Sequence, residues 1–297
     1  MRIAGVEIGG TKAIALLWQA GAVVARVTMP TTQPDETLGR LHRQLAAWHR
    51  AGALDALGIA SFGPLALARS APGFGAMLAT PKPGWTGAPV MAALTAGLAC
   101  PAAIDTDVNG AALAEYRWGA GAGCDSLCYL TVGTGVGGGV LIGGRPLHGA
   151  LHPEVGHLRI RRLPGDGFAG TCPFHGDCVE GLVSGPALAA RFGCDPATVG
   201  PDHPVWTAVA ADLAELAAAL FVTLAPQRLL IGGGVGTGRP FLLPLVRERA
   251  VALLGGYLPY VDEVSAALLI REPALGADAG PLGAIALGLS ALQPGSG

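Results

Sequence analysis

Charge is scarce in this chain. Only 13% of its 297 residues are Asp, Glu, Lys or Arg, and the formal net charge is −2. No run of five or more Lys/Arg occurs. The sequence therefore lacks both the basic stripe of a nucleic-acid binder and the polybasic patch of a membrane-surface protein. No stretch of ~18 uninterrupted apolar residues appears, so no membrane span is expected. Glu7 and Lys12 interrupt the opening apolar run and no small-residue cleavage site follows, so no signal peptide is expected either. Cysteine is limited to Cys100, Cys124, Cys128, Cys172, Cys178 and Cys194. In a long chain of cytoplasmic character these read as buried thiols or metal ligands rather than disulfides.

Apolar residues make up 51% of the chain, enough for a large core and for two domains of ordinary size. Glycine (47) and proline (23) are so heavily used that no single glycine carries much weight. Residues 2–8, 13–18 and 22–29 read as strands, with a turn at Gly9-Gly10-Thr11-Lys12 between the first two. Leu38, Leu41, Leu45 and Trp48 recur at helical spacing within 36–50, and 57–62 reads as a buried strand. A Pro/Gly-rich passage, 72–89, leads to a short strand at 102–104 and a helix at 109–118. Residues 127–132 and 138–142 predict a hairpin around Gly133-Thr134-Gly135-Val136-Gly137. Helices are expected from Trp206 to Leu224, over 241–254 and over 283–292, with a strand at 228–231 running into Gly232-Gly233-Gly234. Such alternation implies a mixed α/β sheet architecture. The strand, Gly/Thr turn, strand pattern at Glu7-Ile8-Gly9-Gly10-Thr11 recurs at Thr131-Val132-Gly133-Thr134-Gly135.

Backbone N–H groups in such turns cradle anions, and Thr11 and Thr134 add hydroxyls. Each turn alone reads equally as a plain hairpin; the pair, with Gly232-Gly233-Gly234 after a third strand, points to phosphate. Neither matches the P-loop, because no Gly-Lys-Ser/Thr follows at that spacing. Asp107 lies between a strand and a helix, where an N-cap and a general base for phosphoryl transfer are compatible roles. A helix N-terminus favours its ionised form. Asp105 reads as the end of the strand.

His157, Cys172, His175 and Cys178 fall within 22 positions. Zinc takes four such ligands in a closed tetrahedron, and a full set leaves no open position for a catalytic water. The competing reading is a chance collection of buried cysteines and surface histidines. Glu154 and Glu180 flank this knot, as solvated charges or as sugar-hydroxyl contacts that the knot positions. His148 and His152 read as ordinary loop residues, Arg159, Arg161 and Arg162 as a solvated strand edge, and Cys124 and Cys128 as core.

The whole chain resembles the ROK family of bacterial sugar kinases and repressors, within the actin-like ATPase superfamily, and most closely its fructokinase branch. The resemblance rests on Gly5-Val6-Glu7-Ile8-Gly9-Gly10-Thr11-Lys12, Ser61-Phe62-Gly63-Pro64, Thr80-Pro81-Lys82-Pro83-Gly84-Trp85, residues 105–112, 131–139, 148–157 and 172–181, Ser184-Gly185-Pro186, Gly232-Gly233-Gly234-Val235 and Ala277-Asp278-Ala279-Gly280. It implies an α/β, two-lobed actin-like (ribonuclease H-like) fold with a cleft between the lobes and a zinc-bound loop. The expected lobes are 1–105, completed by a C-terminal helix within 281–297, and 106–280.

By the same resemblance, Asp107 takes the proton of the sugar hydroxyl, and Asn109 is either a sugar contact or a helix-start residue. Glu154, His157 and Glu180 face the sugar. His157 also joins Cys172, His175 and Cys178 on zinc. Gly9, Gly10, Thr11 and Lys12 form a first phosphate loop, and Gly133, Thr134 and Gly135 a second. Pro186, Gly233, Gly234 and Val235 line an adenosine pocket. Three positions depart from the wider family. Many members carry Asp in place of Glu7, where the fructokinase branch uses Glu. Many carry Asn in place of Thr106, and many a third cysteine in place of His175. The implied activity is ATP-dependent phosphorylation of a hexose 6-hydroxyl with Mg²⁺, fructose ahead of glucose, mannose or an N-acetylated amino sugar. Family repressors place a helix-turn-helix before the first phosphate loop, which here begins by Glu7, so a sugar-sensing regulator is disfavoured. A cytoplasmic homodimer without nucleic-acid or membrane partners is expected.

Overall fold

The apolar runs of the sequence become two mixed sheets, and the chain folds into two compact units. A computed structural model describes residues 1–68 and 72–293. One unit comprises Met1–Ala122, Arg145–Pro153 and Leu275–Gly297; the other comprises Gly123–Gly144 and Glu154–Ala274. Residues 294–297, part of the expected C-terminal helix, lie outside the described residues.

In the first unit the strands are β1 (Arg2–Ile8), β2 (Lys12–Gln19), β3 (Ala22–Pro30), β4 (Ala56–Ser61) and β5 (Ala102–Thr106). They lie in the order β3-β2-β1-β4-β5. The first three form an antiparallel meander, whereas β4 pairs in parallel with β1 and with β5. All six residues of β4 are buried, the continuous apolar run expected of a strand covered on both faces. Helix α1 (Pro34–Arg50) opens with Pro34, Asp35 and Glu36, ends with His49 and Arg50, and buries Leu38, Leu41 and Leu45. Its charges thus complement the helix dipole at both ends. A short helix, α2 (Val90–Thr95), follows the Pro/Gly-rich passage. Helix α3 (Asp107–Trp118) follows β5 directly.

In the second unit β6 (Ser126–Val132) and β7 (Val136–Ile142) make the expected hairpin. A two-residue strand, β8 (Arg145–Pro146), follows the hairpin in the chain and belongs to the first unit. The α-helices of the second unit are α4 (Val179–Val183), α5 (Gly185–Phe192), α6 (Val205–Leu224), α7 (Gly233–Gly236), α8 (Leu242–Leu254) and α9 (Ala266–Leu269). Strand β9 (Arg228–Gly232) lies parallel to β6, and β10 (Ile270–Arg271) lies parallel to β9. Helix α6 is the one described helix long and apolar enough to cross a membrane, but 67% of its apolar window is buried in this unit, where it packs on α8.

The last helix, α10 (Ala279–Ala291), returns to the first unit and packs on α3, β4 and β1. Glycines allow that approach. A Cβ on Gly283 would overlap the Gly110 backbone, and one on Gly58 would overlap Ala284 and Gly288. The expected lobe boundary at 105 therefore falls at the β5–α3 junction, inside this unit. The short helices α2, α4, α5 and α7 were not expected from the sequence; none exceeds eight residues.

Candidate active site

In the first unit the chemistry gathers at the C-terminal ends of β1, β4 and β5. Strand pairing sets Glu7 opposite Ala60, and Ala60 opposite Asp105. Thr106 caps α3, its Oγ1 accepting from Asn109 N–H at 3.2 Å. Asp107 is the first residue of α3, and its Oδ1 accepts from Val108 N–H at 2.9 Å. Burial pushes the Asp107 carboxyl up to about 6, and the Val108 hydrogen bond opposes that rise. Burial, then the nearby negative charge of Asp107, pushes Glu7 up to about 7, against Lys12 and Arg26. A Cβ on Gly280 would collide with the Glu7 carboxylate. This close approach places Glu7 against the start of α10.

Asp105 does more than end a strand. It is 3% exposed, and its Oδ1 accepts from Thr106 N–H and Asn109 Nδ2, both at 2.7 Å. Its Oδ2 lies 3.0 Å from His148 Nε2. This partner raises the His148 pKa. Asn109 is 1% exposed, and its Nδ2 is turned inward onto Asp105. His152 is also buried, and its Nε2 accepts from Leu65 N–H at 3.1 Å. The two histidines read from sequence as loop residues thus anchor the loop to the β5–α3 junction and to the turn after β4. The first glycine turn is closed by Gly9 N–H to the Lys12 carbonyl at 2.9 Å. Lys82 Nζ donates to the Gly10 carbonyl at 2.6 Å, bringing a cation to that turn that no local spacing revealed.

In the second unit the turn between β6 and β7 is closed by Gly133 N–H to the Gly135 carbonyl at 2.9 Å. Gly233, at φ +82°, leaves no room for a Cβ against the Val132 backbone, which draws α7 onto the end of β6. Gly185 N–H donates to the Gly133 carbonyl at 2.7 Å. Pro186 stands in the first turn of α5. The fold therefore collects Gly133, Gly135, Pro186, Gly233, Gly234 and Val235 around one turn.

The metal loop belongs to the same unit. One donor atom each from His157, Cys172, His175 and Cys178 lies within 4.8 Å of the other three. Sγ–Nδ1 separations are 3.6 Å (Cys178–His157), 3.7 Å (Cys172–His175) and 3.8 Å (Cys172–His157). Tetrahedral zinc with ordinary Zn–S and Zn–N bonds requires an S–N edge of about 3.6 Å, so the donor set fits zinc. Cys172 and Gly176 exchange backbone hydrogen bonds, with Gly176 at φ +64° making the tight knuckle. Glu154 precedes a 3₁₀ turn (Val155–His157), and its carbonyl accepts from His157 N–H at 3.0 Å. Arg162 corrects the solvated-edge reading. It pairs with Asp166 at 2.8 Å, and Asp166 pairs in turn with Arg191 at 3.1 Å. Arg191 also holds buried Asp212 at 2.7 Å and lies over the Phe168 ring. Cys124 and Cys128 are buried, as expected of core thiols.

The ROK family model matches residues 3–290. The chain belongs to the ROK family. It is 41% identical to the fructokinase of Zymomonas mobilis over 96% of each chain. Among solved structures, the ROK hexokinase from Thermus thermophilus superposes with a TM-score of 0.76 at 28% identity, covering 97% of this chain and 98% of the other. A ROK family glucokinase from Streptomyces griseus, in complex with glucose and AMPPNP, gives 0.74 at 25%, covering 97% and 99%. The two mixed sheets with the Cys/His loop are therefore those of a ROK actin-like kinase, and the chain is an ATP-dependent sugar kinase by family.

Proposed function

We propose that this protein is a fructokinase, transferring the γ-phosphoryl group of ATP to the 6-hydroxyl of D-fructose. The 41% identity to a fructokinase over 96% of both chains carries the choice of sugar. The environment of Asp107 supports the chemistry. Held at the start of α3 with its carboxyl near 6, it is ionised at neutral pH and still basic enough to take a hydroxyl proton.

In the proposed step Asp107 accepts the 6-hydroxyl proton while that oxygen bonds to the γ-phosphorus. The bond to the β–γ bridging oxygen breaks and ADP leaves. Mg²⁺ bound with ATP would supply positive charge against the charge that develops on the phosphates. Gly9, Gly10, Thr11 and Lys12 are assigned to one phosphate-facing turn, and Gly133, Thr134 and Gly135 to the other. Pro186, Gly233, Gly234 and Val235 are assigned to adenosine. Glu154, His157 and Glu180 are assigned to the sugar, and a structural zinc on His157, Cys172, His175 and Cys178 fixes the loop that carries them. Asp105, His148 and Asn109 keep the base in register.

A coupled ATPase assay over fructose, glucose, mannose, N-acetylglucosamine and N-acetylmannosamine tests this. Fructose should show the highest kcat/KM, by about tenfold or more, the ratio that 1.4 kcal/mol of differential transition-state binding produces. A higher value for another hexose would reassign the substrate, and ATP turnover unaffected by every sugar would reject the kinase reading.

A further inference from the structure

The turn Gly133–Gly135 is gripped by residues that flank the metal ligands on both sides. Before His157, Gly156 lies so close to the Val136 carbonyl that a Cβ there would overlap it. After Cys178, Glu180 Oε2 accepts from Val136 N–H at 3.1 Å. The same oxygen lies 2.8 Å from where a Gly135 side chain would begin. Beyond Glu180, Gly185 N–H holds the Gly133 carbonyl at 2.7 Å. Glu180 itself is fixed from behind. Its carbonyl accepts from Ser184 N–H at 3.1 Å, and its neighbours tie the loop ends through Val179 N–H to the Leu158 carbonyl at 3.0 Å and Thr171 N–H to the Gly181 carbonyl at 2.9 Å.

We propose that Glu180 is a positioning residue for the nucleotide, carrying the shape of the metal loop to the turn Gly133–Gly135 through its Oε2 bond to Val136 N–H. The inference rests on reading that turn as phosphate-facing. It adds a second task to a residue assigned to the sugar. Oε2 is committed to the turn, while Oε1 makes no hydrogen bond to the described residues and is left for a hexose hydroxyl. One carboxylate thereby links the two substrate sides, and the zinc loop supports phosphate binding as well as the sugar pocket.

Amide hydrogen exchange on the zinc-loaded protein tests the link without any turnover. A hydrogen bond to a charged acceptor holds an amide closed against exchange. Glu180→Ala should speed exchange in peptides spanning 131–137 roughly tenfold, with peptides from α6 unchanged. Glu180→Gln keeps an accepting oxygen and should stay within about twofold of the parent. Chelating zinc from the parent protein should reproduce the local rise at 133–137. In steady-state kinetics Glu180→Ala should raise the KM for ATP about tenfold, whereas Glu180→Gln should leave that KM near the parent value and alter the KM for hexose. Unchanged protection of 131–137 in Glu180→Ala, an increase shared equally by α6, or full protection after chelation would each overturn the proposal. Because the exchange readout needs no catalysis, its failure is separable from failure of the kinase assignment.

Discussion

Asp107 is placed under two opposing demands. As the proposed base it must be ionised near neutrality, yet burial favours its neutral form and lifts its pKa to about 6. Glu7, lifted to about 7 by burial and by Asp107, shares the strain. Both folded-state values lie above the unfolded ones. Their stabilising contribution is therefore fully present below pH ~4 and is lost as pH rises through about 6 for Asp107 and about 7 for Glu7. At neutral pH each of the two carboxylates costs the fold about 3 kcal/mol. Asp107→Asn removes one of the two charges. It should melt a few degrees higher than the parent by calorimetry at pH 7.5, and the gap should close near pH 4. Turnover should fall about 10²–10⁴-fold while hexose binding by titration calorimetry persists; near-normal turnover would remove Asp107 from the role of base. In the parent enzyme kcat should drop about tenfold per pH unit below 6, checked by a pH–rate profile. The place of Asp107 at the start of α3 was legible because strand, acidic residue and helix stand in sequence around it. Asp105, His148, His152 and Lys82 were not. Each acts on a partner distant in the chain or offers no spacing of its own: His148 meets Asp105 43 residues away, and Lys82 meets Gly10 72 residues away.

At the scale of elements, the site depends on backbones that touch. Gly110 and Gly283 let α3 lie directly on α10, and α3 carries Asp107 at its first residue. Gly283→Ala should cost about 1–3 kcal/mol through overpacking, read as a fall in Tm. It should also lower kcat, because relief of the clash displaces α3. The metal loop offers a parallel case. Cys172→Ser should lower zinc content and Tm together, since loop order and metal binding are one equilibrium; an unchanged Tm would argue against a structural site. The loop has a second brace in Arg191. Arg191→Ala leaves Asp212, 1% exposed, as an uncompensated buried charge and should cost about 3 kcal/mol or more by chemical denaturation. Long elements were readable because β1, β2, α1 and α6 each span enough residues to show a period. The helices α2, α4, α5 and α7 are too short to do so, and α7 is hidden in a run of glycines that reads as a turn.

At the scale of the whole molecule, neither compact unit is a continuous stretch of chain. The first is closed by residues 275–293, which follow more than a hundred residues belonging to the second. Local pattern carries no signal for such closure. The sequence showed an apolar final helix but not how completely it is enclosed. Eight residues of α10 are buried, including Ile285 and Leu287, and they cover β1, β4 and α3. Burying that many apolar groups is worth roughly 8 kcal/mol, comparable to the whole stability of an ordinary domain. A chain ending at Ala277 should therefore leave the first unit unfolded, although its own strands and α1 are all present. Limited proteolysis with mass spectrometry should show cleavage throughout 1–122 while 154–274 stays protected. Hexose-dependent ATP turnover should be lost, because Asp107 sits on the helix that α10 holds. Protection of 1–122 in the shortened chain would show that the β-sheet and α1 suffice, and would move the origin of that unit's stability from α10 to the buried strand β4.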